Sequence, residues 1–451
     1  MRKNYSPNLI NVYLKRLPGR SKDREMVIER QNKDGFITNN QASEAIAEFS
    51  NANDYTGKRI LLLIPDDTRS GPVDEIFKSI YDCLAKKAKA IDCLIALGTH
   101  QPMTEEQICT RVGIKPPLRN SKYSSVKFLN HEWSKSETFT SIGKISTDEI
   151  HQISNGLFCE EVDVAINKLI FDYDEFFIIG PVFPHEVVGL SGGHKYIFPG
   201  IAGVEIINFF HWLGAIMTNP VINGNKWTPT RQLVEKAASF IKTPHQLFAI
   251  VSVDNKLKGL FIGDCKQTWE KAADLSEKVH IIYKDKSYKT ILGIAPKMYD
   301  DIWTAGKVMY KLEPIVADGG TLIIHAPHIS EISYTHGKII DKIGYHTRDY
   351  FLKQMDKFAD IPRCVMAHST HVKGIGTYID DIERPRINVA LATGISREHC
   401  RRVNLGYMNP NQIDIRNYEN KEDRGILVVH NAGEILYRLS SGEIPTIPDE
   451  Q

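Results

Sequence analysis

The sequence predicts an α/β protein built from two successive blocks. Two observations carry this. Short runs of β-branched residues alternate with amphipathic helical runs, and the loops richest in charged and imidazole side chains each follow one of the apolar runs directly. The second feature fits the habit of α/β sheets, which collect ligands at the carboxyl edge of their strands.

Residues 58–67, KRILLLIPDD, predict a buried strand ending in acids, and 75–90 the helix that follows. Residues 91–100, IDCLIALGTH, predict a second strand that runs into a loop, and Thr104 stands three residues before Gln107 in the spacing of a capping box. A strand is expected at 175–182, a glycine-rich turn at 189–200 and an apolar helix at 201–215, with Pro199 suited to its start. A second block is expected from residue 288, with strands at 289–296, 319–327 and 384–393 and helices at 300–312, 347–359 and 396–404. Residues 425–439 read as a strand, a turn at Asn431–Gly433 and a strand. The polar run 274–289 is the best internal boundary, giving an N-terminal α/β domain over 1–280 and a C-terminal one over 288–424.

Composition narrows the function classes. With 451 residues, 42% hydrophobic and 25% charged, the chain can bury two or three cores. Lys plus Arg total 56 against 55 Asp plus Glu, and a net charge of +1 gives no electrostatic reason to expect a nucleic acid or an anionic membrane as partner. No apolar run nears the roughly 18 residues of a membrane span. The opening MRKNYSPNLI leads into polar sequence rather than a secretory signal, so a cytoplasmic location is expected. The seven cysteines are scattered without CxxC spacing, which favours reduced thiols over a disulfide framework or a thiolate-rich zinc site. A metal is therefore to be sought on one of the 16 histidines or on a cofactor.

Three loops and one helix carry candidate chemistry. In the 65–72 loop, PDDTRSGP, an Asx turn accounts for the acids; alternatively Arg69 offers a fork of donors to a carboxylate, oriented by Asp66. His100 follows Gly98 at a strand end, where an isolated histidine usually satisfies local groups but can also serve as general acid or base. The 183–200 segment holds His185, then Ser191, Gly192, Gly193, His194 and Lys195, and its paired glycines allow backbone N–H groups to approach an anion. It matches neither a P-loop nor GxGxxG. His211 lies sixteen residues after Lys195 among Phe209, Phe210, Trp212 and Leu213, so it is expected to be buried on a helix. A lone histidine there is commonly a hydrogen-bonded core residue, yet a neutral imidazole is also a metal ligand.

Taken together, DDTR, GTH, a histidine ten residues before the lysine of SGGHK, FPG, and a histidine sixteen residues after that lysine resemble the lactate racemase family over roughly residues 8 to 440. The resemblance implies two α/β domains with central sheets flanked by helices, an active site in the cleft between them, and a chain end (425–451) that returns to the first domain. It implies a nickel-pincer nucleotide, a pyridinium mononucleotide with two sulfur donors, joined to Lys195 next to the Ser191–Gly192–Gly193 turn, with His211 as the protein ligand of nickel. His100 and His185 match the acid–base pair, and Asp66 and Arg69 match the substrate-facing acid and arginine. Trp303, Thr304 and Lys307 match a substrate-binding element, in which Lys307 is the carboxylate anchor.

The implied activity is inversion at C2 of a small 2-hydroxy acid by proton-coupled hydride transfer through a 2-keto acid, which avoids a carbanion beside a carboxylate. Maturation would require cofactor-building and nickel-inserting proteins. Thr304 stands where the family's lactate enzymes carry glutamine, Trp303 where they carry tyrosine, and His194 where arginine or proline is frequent; Pro296 lies one residue further upstream than the pattern has it. The shorter Thr304 points to a longer substrate, such as malate or a sugar acid like gluconate. Outside the enzyme class, the alternative is a nickel-free metabolite-binding paralogue, although a sensor has no use for a tether. A zinc hydrolase on His100, His185 and His211 lacks HExxH spacing.

Overall fold

The protein, here a computed structural model, is described for residues 27–32 and 34–446. The opening segment read for a leader, and the last residues of the tail, lie outside the described residues.

The first sheet has seven strands in the spatial order Ile28–Gln31, Lys256–Gly263, His245–Val253, Glu175–Pro181, Arg59–Pro65, Ala90–Ala96 and Phe128–Asn130. The five from His245–Val253 to Phe128–Asn130 run parallel. Lys256–Gly263 folds back through Asp254 and Asn255, both left-handed (φ 48° and 60°), as a tight hairpin turn requires. Side chains alternate between two buried faces: Leu61, Leu63, Phe176 and Ile178 join one apolar cluster, while Ile60, Leu62, Phe177 and Ile179 join another. That burial on both sides is why these strands are continuously apolar.

The second sheet has five parallel strands in the order Gly406–Tyr407, Asn388–Thr393, Val316–Ala326, Tyr288–Ile294 and Ile426–Val429. Its Ile291, Leu322 and Ile324 belong to the same cluster as Leu61 and Phe176, so the two sheets share one core. Helix Val204–Met217 of the first block packs against helix Arg363–Lys373 of the second. Among the described residues, no helix is long and apolar enough to cross a membrane.

The strand order sets the site. From Arg59–Pro65 the chain moves outward to Ala90–Ala96 and Phe128–Asn130, then returns to place Glu175–Pro181 on the other flank of Arg59–Pro65. Loops leaving the carboxyl ends of these two neighbours diverge and open a crevice, the usual ligand position in such sheets.

Several expectations shift. The 75–90 helix is Val73–Leu84, and the remainder turns into the next strand at Ala90. The apolar helix starts at Val204 with Gly203 as its cap, while Pro199 sits after a cis peptide bond in the preceding turn. Residues 347–359 divide into Arg348–Leu352 and a 3-10 turn Met355–Phe358, because Gln354 leaves helical geometry. Within the polar 274–289 run lie the end of the amphipathic helix Cys265–His280 and strand Ile281–Lys284, and residues 285–287 lead into strand Tyr288–Ile294. The tail does not return as a unit. Ile426–Val429 joins the second sheet, and Leu436–Leu439 pairs in parallel with Ile281–Lys284.

Gly189 pairs with His185 in a short antiparallel ladder. Its φ is +87°, and a Cβ there would lie 1.9 Å from the Asn225 carbonyl oxygen. Gly189→Ala is expected to lose roughly 2 kcal/mol or more of stability in urea unfolding, since both the left-handed backbone and the clash oppose it.

Candidate active site

Each loop at the crevice is held by its own hydrogen bonds. Asp66, directly after strand Arg59–Pro65, is buried and accepts bonds from the Thr68 N–H (3.2 Å) and Thr68 Oγ1 (2.7 Å). Its second oxygen lies 2.5 Å from His100 Nδ1. Facing a carboxylate, Nδ1 is the protonated nitrogen, and Nε2 of neutral His100 keeps a lone pair. Asp66 therefore orients His100, rather than Arg69 as expected from sequence, in the manner of the acid behind a catalytic histidine.

His185 is arranged the other way round. The Val187 N–H donates to His185 Nδ1 at 3.1 Å, so the neutral ring carries its proton on Nε2. The two imidazoles thus arrive complementary, one with a free acceptor at Nε2 and one with a donor. Burial, reinforced by Lys195 and Arg69, lowers the His185 pKa well below its usual value and keeps the ring neutral. His211, on helix Val204–Met217, donates from Nδ1 to the Ile207 carbonyl at 2.7 Å, which leaves its Nε2 lone pair available to a metal. Burial draws His211 down to about 4.

Three cations line the same cleft: Arg69, Lys195 and Lys307. Burial pulls the Lys195 ammonium down to about 7, with Arg69 adding to the effect. The same two causes bring Lys307 to about 7. Lys307 Nζ donates to the Thr68 carbonyl at 3.0 Å, tying helix Ile302–Leu312 of the second block to the first loop. The acids in the cleft are already engaged, Asp66 as described and Glu186 with Lys311 at 3.9 Å. Arg69 makes no hydrogen bond or ion pair among the described residues. Partly buried positive charge without a counterion favours binding of an anion.

The structure brings His100, His185, His211, Arg69, Asp66, Lys195, Lys307, Trp303 and Thr304 to one cavity. Ser191, Gly192 and Gly193 do not line it. Ser191 Oγ accepts the Phe183 N–H, and the open sides of the glycines are filled: a Cβ would meet Val182 Cγ2 at 2.5 Å from Gly192 and Trp269 at 3.1 Å from Gly193. These glycines serve packing rather than an anion cradle. Thr304 spends its hydroxyl on Asp301, the cap of its helix, at 2.9 Å.

Sequence reading missed part of the wall. Trp303 stacks between His368 (4.0 Å between centroids) and His336 (4.4 Å), and His371 lines the cavity with an unpartnered, buried Nε2. His368 and His371 stand three apart on helix Arg363–Lys373, a spacing that places them on one face and was the available signal. Glu186 and Tyr310 also line the site.

Fold and site define a two-sheet α/β protein whose shared cleft brings His100 and His185 together with Arg69, Lys195 and Lys307. The family model for the lactate racemase N-terminal domain matches residues 7–222. Lactate racemases of Thermoanaerobacterium thermosaccharolyticum and Lactiplantibacillus plantarum are each 25% identical, over 277 and 273 residues. These matches span 60% and 59% of this chain and the same shares of the relatives' length. A crystal structure of a Thermotoga maritima protein superposes with a TM-score of 0.83 at 31% identity, covering 90% of this chain and 99% of that one. The lactate racemase apoprotein of T. thermosaccharolyticum shares the fold, with a TM-score of 0.63 at 19% identity over 88% of this chain and 93% of that one. Residues 7–222 thus match the N-terminal domain of the lactate racemase family.

The Asp66 carboxyl is held below the usual carboxylate range: burial opposes its charge, but His100, Thr68 and Lys307 outweigh that. A depressed folded pKa contributes stability above the unfolded value of about 3.9 and loses it as pH falls below that. Asp66→Asn is expected to cost about 2–3 kcal/mol at pH 7, and the gap from wild type should shrink in denaturant unfolding at pH 3.

Proposed function

We propose that this chain is an isomerase that inverts C2 of a 2-hydroxy acid, working with a nickel-pincer nucleotide tethered at Lys195. The observation that carries this reading is the meeting, in one cleft, of two oppositely protonated imidazoles with a surplus of buried cations. The residues present fit the cofactor. His211 offers a free Nε2 fixed by its bond to Ile207, and Lys195, drawn to about 7, holds a substantial fraction of nucleophilic amine near neutral pH. When bound, the group supplies a reversible two-electron acceptor for the hydrogen on C2.

The chain's own residues do the rest. Arg69 and Lys307, one from each block, bind the substrate carboxylate, and its charge relieves the repulsion between them. His100 accepts the hydroxyl proton at Nε2, and Asp66 stabilises the imidazolium that results. His185 donates a hydrogen bond from Nε2 to the keto oxygen of the planar 2-keto acid once it has turned its other face, and the proton held on His100 returns to that oxygen as the hydroxyl re-forms. Both rings are neutral again at the end of a turnover in either direction. Closure of the cleft keeps water from the keto acid.

A substrate longer than lactate is favoured by the wall beyond Lys307. Thr304 leaves room where a longer side chain would fill it, and the unpartnered His371 Nε2 presents a polar contact suited to a hydroxylated or second carboxylate-bearing chain. On this reading a sugar acid or malate competes with lactate. Maturation then depends on partner proteins that build the nucleotide and insert nickel.

Produced alongside the cofactor-building enzymes, the protein should show added mass on the Lys195 peptide and bind nickel, and Lys195→Ala should lose both along with turnover. His100→Ala and His185→Ala should retain the added mass while kcat for the best 2-hydroxy acid falls by roughly 10²–10⁴-fold. Racemisation by protein with unmodified Lys195, or full activity in either histidine variant, would overturn the reading.

A further inference from the structure

Beside Lys195, but outside the cleft lining, three donor atoms from distant parts of the chain converge. They are His194 of the 3-10 turn Gly193–Tyr196, His245 at the start of strand His245–Val253, and Cys265, first residue of helix Cys265–His280. Their ligating atoms all lie within 4.8 Å of one another, with His194 and Cys265 buried and His245 partly so. We propose that His194, His245 and Cys265 form a site for a borderline-soft divalent metal, zinc above all, which clamps the Lys195-bearing turn to the sheet.

The hydrogen bonds around the two imidazoles support this. His194 Nδ1 faces Glu235 Oε2 at 2.7 Å, and His245 Nδ1 faces the Thr243 carbonyl at 2.9 Å. Both acceptors require a proton on Nδ1, so in neutral rings both Nε2 atoms carry lone pairs. Yet those atoms point at each other across 3.0 Å. Two opposed lone pairs repel, so a positive centre has to sit between them. A carboxylate or carbonyl behind each ring is the outer shell that metal-binding histidines carry. Phe176 stacks on His245 at 4.8 Å with 9° between the planes and fixes the ring further.

The competing positive centre is a proton, which would make His194 an imidazolium between Glu235 and His245. A proton accounts for the two nitrogens and leaves Cys265 as no more than a hydrogen-bond partner of His194. A metal uses all three atoms: neutral imidazoles and one thiolate are the donors of zinc, and its bond lengths of about 2.0–2.3 Å set tetrahedral donor spacings of roughly 3.3–3.8 Å. Opening the 3.0 Å contact by a few tenths of an ångström meets that requirement. The fourth position falls to water, which the partly exposed His245 side admits. The site is separate from the nickel ligand assigned above, because His211 takes no part in it.

The test uses the full chain made in cells lacking the pincer-nucleotide pathway. After dialysis against a zinc buffer it should retain about one zinc per molecule. His211→Ala should retain it as well, whereas Cys265→Ser and His245→Gln should bind at least tenfold more weakly. Substituted with Co²⁺, the wild type should show sulfur-to-cobalt charge transfer and tetrahedral ligand-field bands, absent in Cys265→Ser. Folded wild type that takes up neither zinc nor cobalt, or Cys265→Ser that binds as tightly as wild type, would overturn the proposal in favour of the shared proton. Should Cys265→Ser fail to fold, the cobalt spectrum of the wild type decides alone. Loss of this site would leave the reading of Lys195 and His211 standing, and the reverse holds too.

Discussion

The cleft is governed by positive charge drawn out of water without a paired carboxylate. Lys195 and Lys307 are each drawn to about 7 because burial strips hydration from their ammonium groups and Arg69 sits close by. Only surrounding structure can keep such groups there, and the shared apolar core that joins the two sheets provides it. An anion bound among them would restore their charge, so affinity for a carboxylate and the cost of burying these cations are two sides of one free energy.

Positioning around that charge is long-range. Ser70, next to Arg69, donates from its N–H and hydroxyl to both oxygens of Glu434 at 2.9 and 2.6 Å, so the turn between the two tail strands braces the first loop. Thr335 and His336 of the second block reach Thr99, beside His100, at 3.2 Å each. Together with the Lys307–Thr68 bond, these contacts make the geometry around His100 depend on how the two blocks meet. A change in their mutual closure would alter both the orientation of Arg69 and the environment of His100.

Much of the scaffold was legible in the sequence because it follows from local rules. Arg59–Pro65 and Glu175–Pro181 stand out as apolar runs since both faces of a parallel sheet are buried, and the Thr104–Gln107 capping box forms as its spacing implies. What escaped depends on contacts between distant residues. Glu434 lies 364 residues from Ser70, and Asp66 pairs with His100 rather than with the nearer Arg69. The tail strands look like a hairpin because a turn separates them, yet each finds a parallel partner elsewhere. The glycines before Lys195 imitate an anion cradle, whereas Trp269 and Val182 need the space. His194, His245 and Cys265 have no local metal-ligand spacing at all, so only the fold unites them.

In the proposed enzyme, Lys195 and His211 hold one nickel-bearing group while a hydroxy acid sits between His100 and His185. Diffraction recorded on either side of the nickel absorption edge, from crystals of cofactor-loaded protein soaked with a 2-hydroxy acid, tests this most directly. The expected result is an anomalous peak at His211 Nε2, density continuous from Lys195 Nζ, and a ligand carboxylate against Arg69 and Lys307. A nickel peak away from His211, or a hydroxy acid bound away from both histidines, would contradict it.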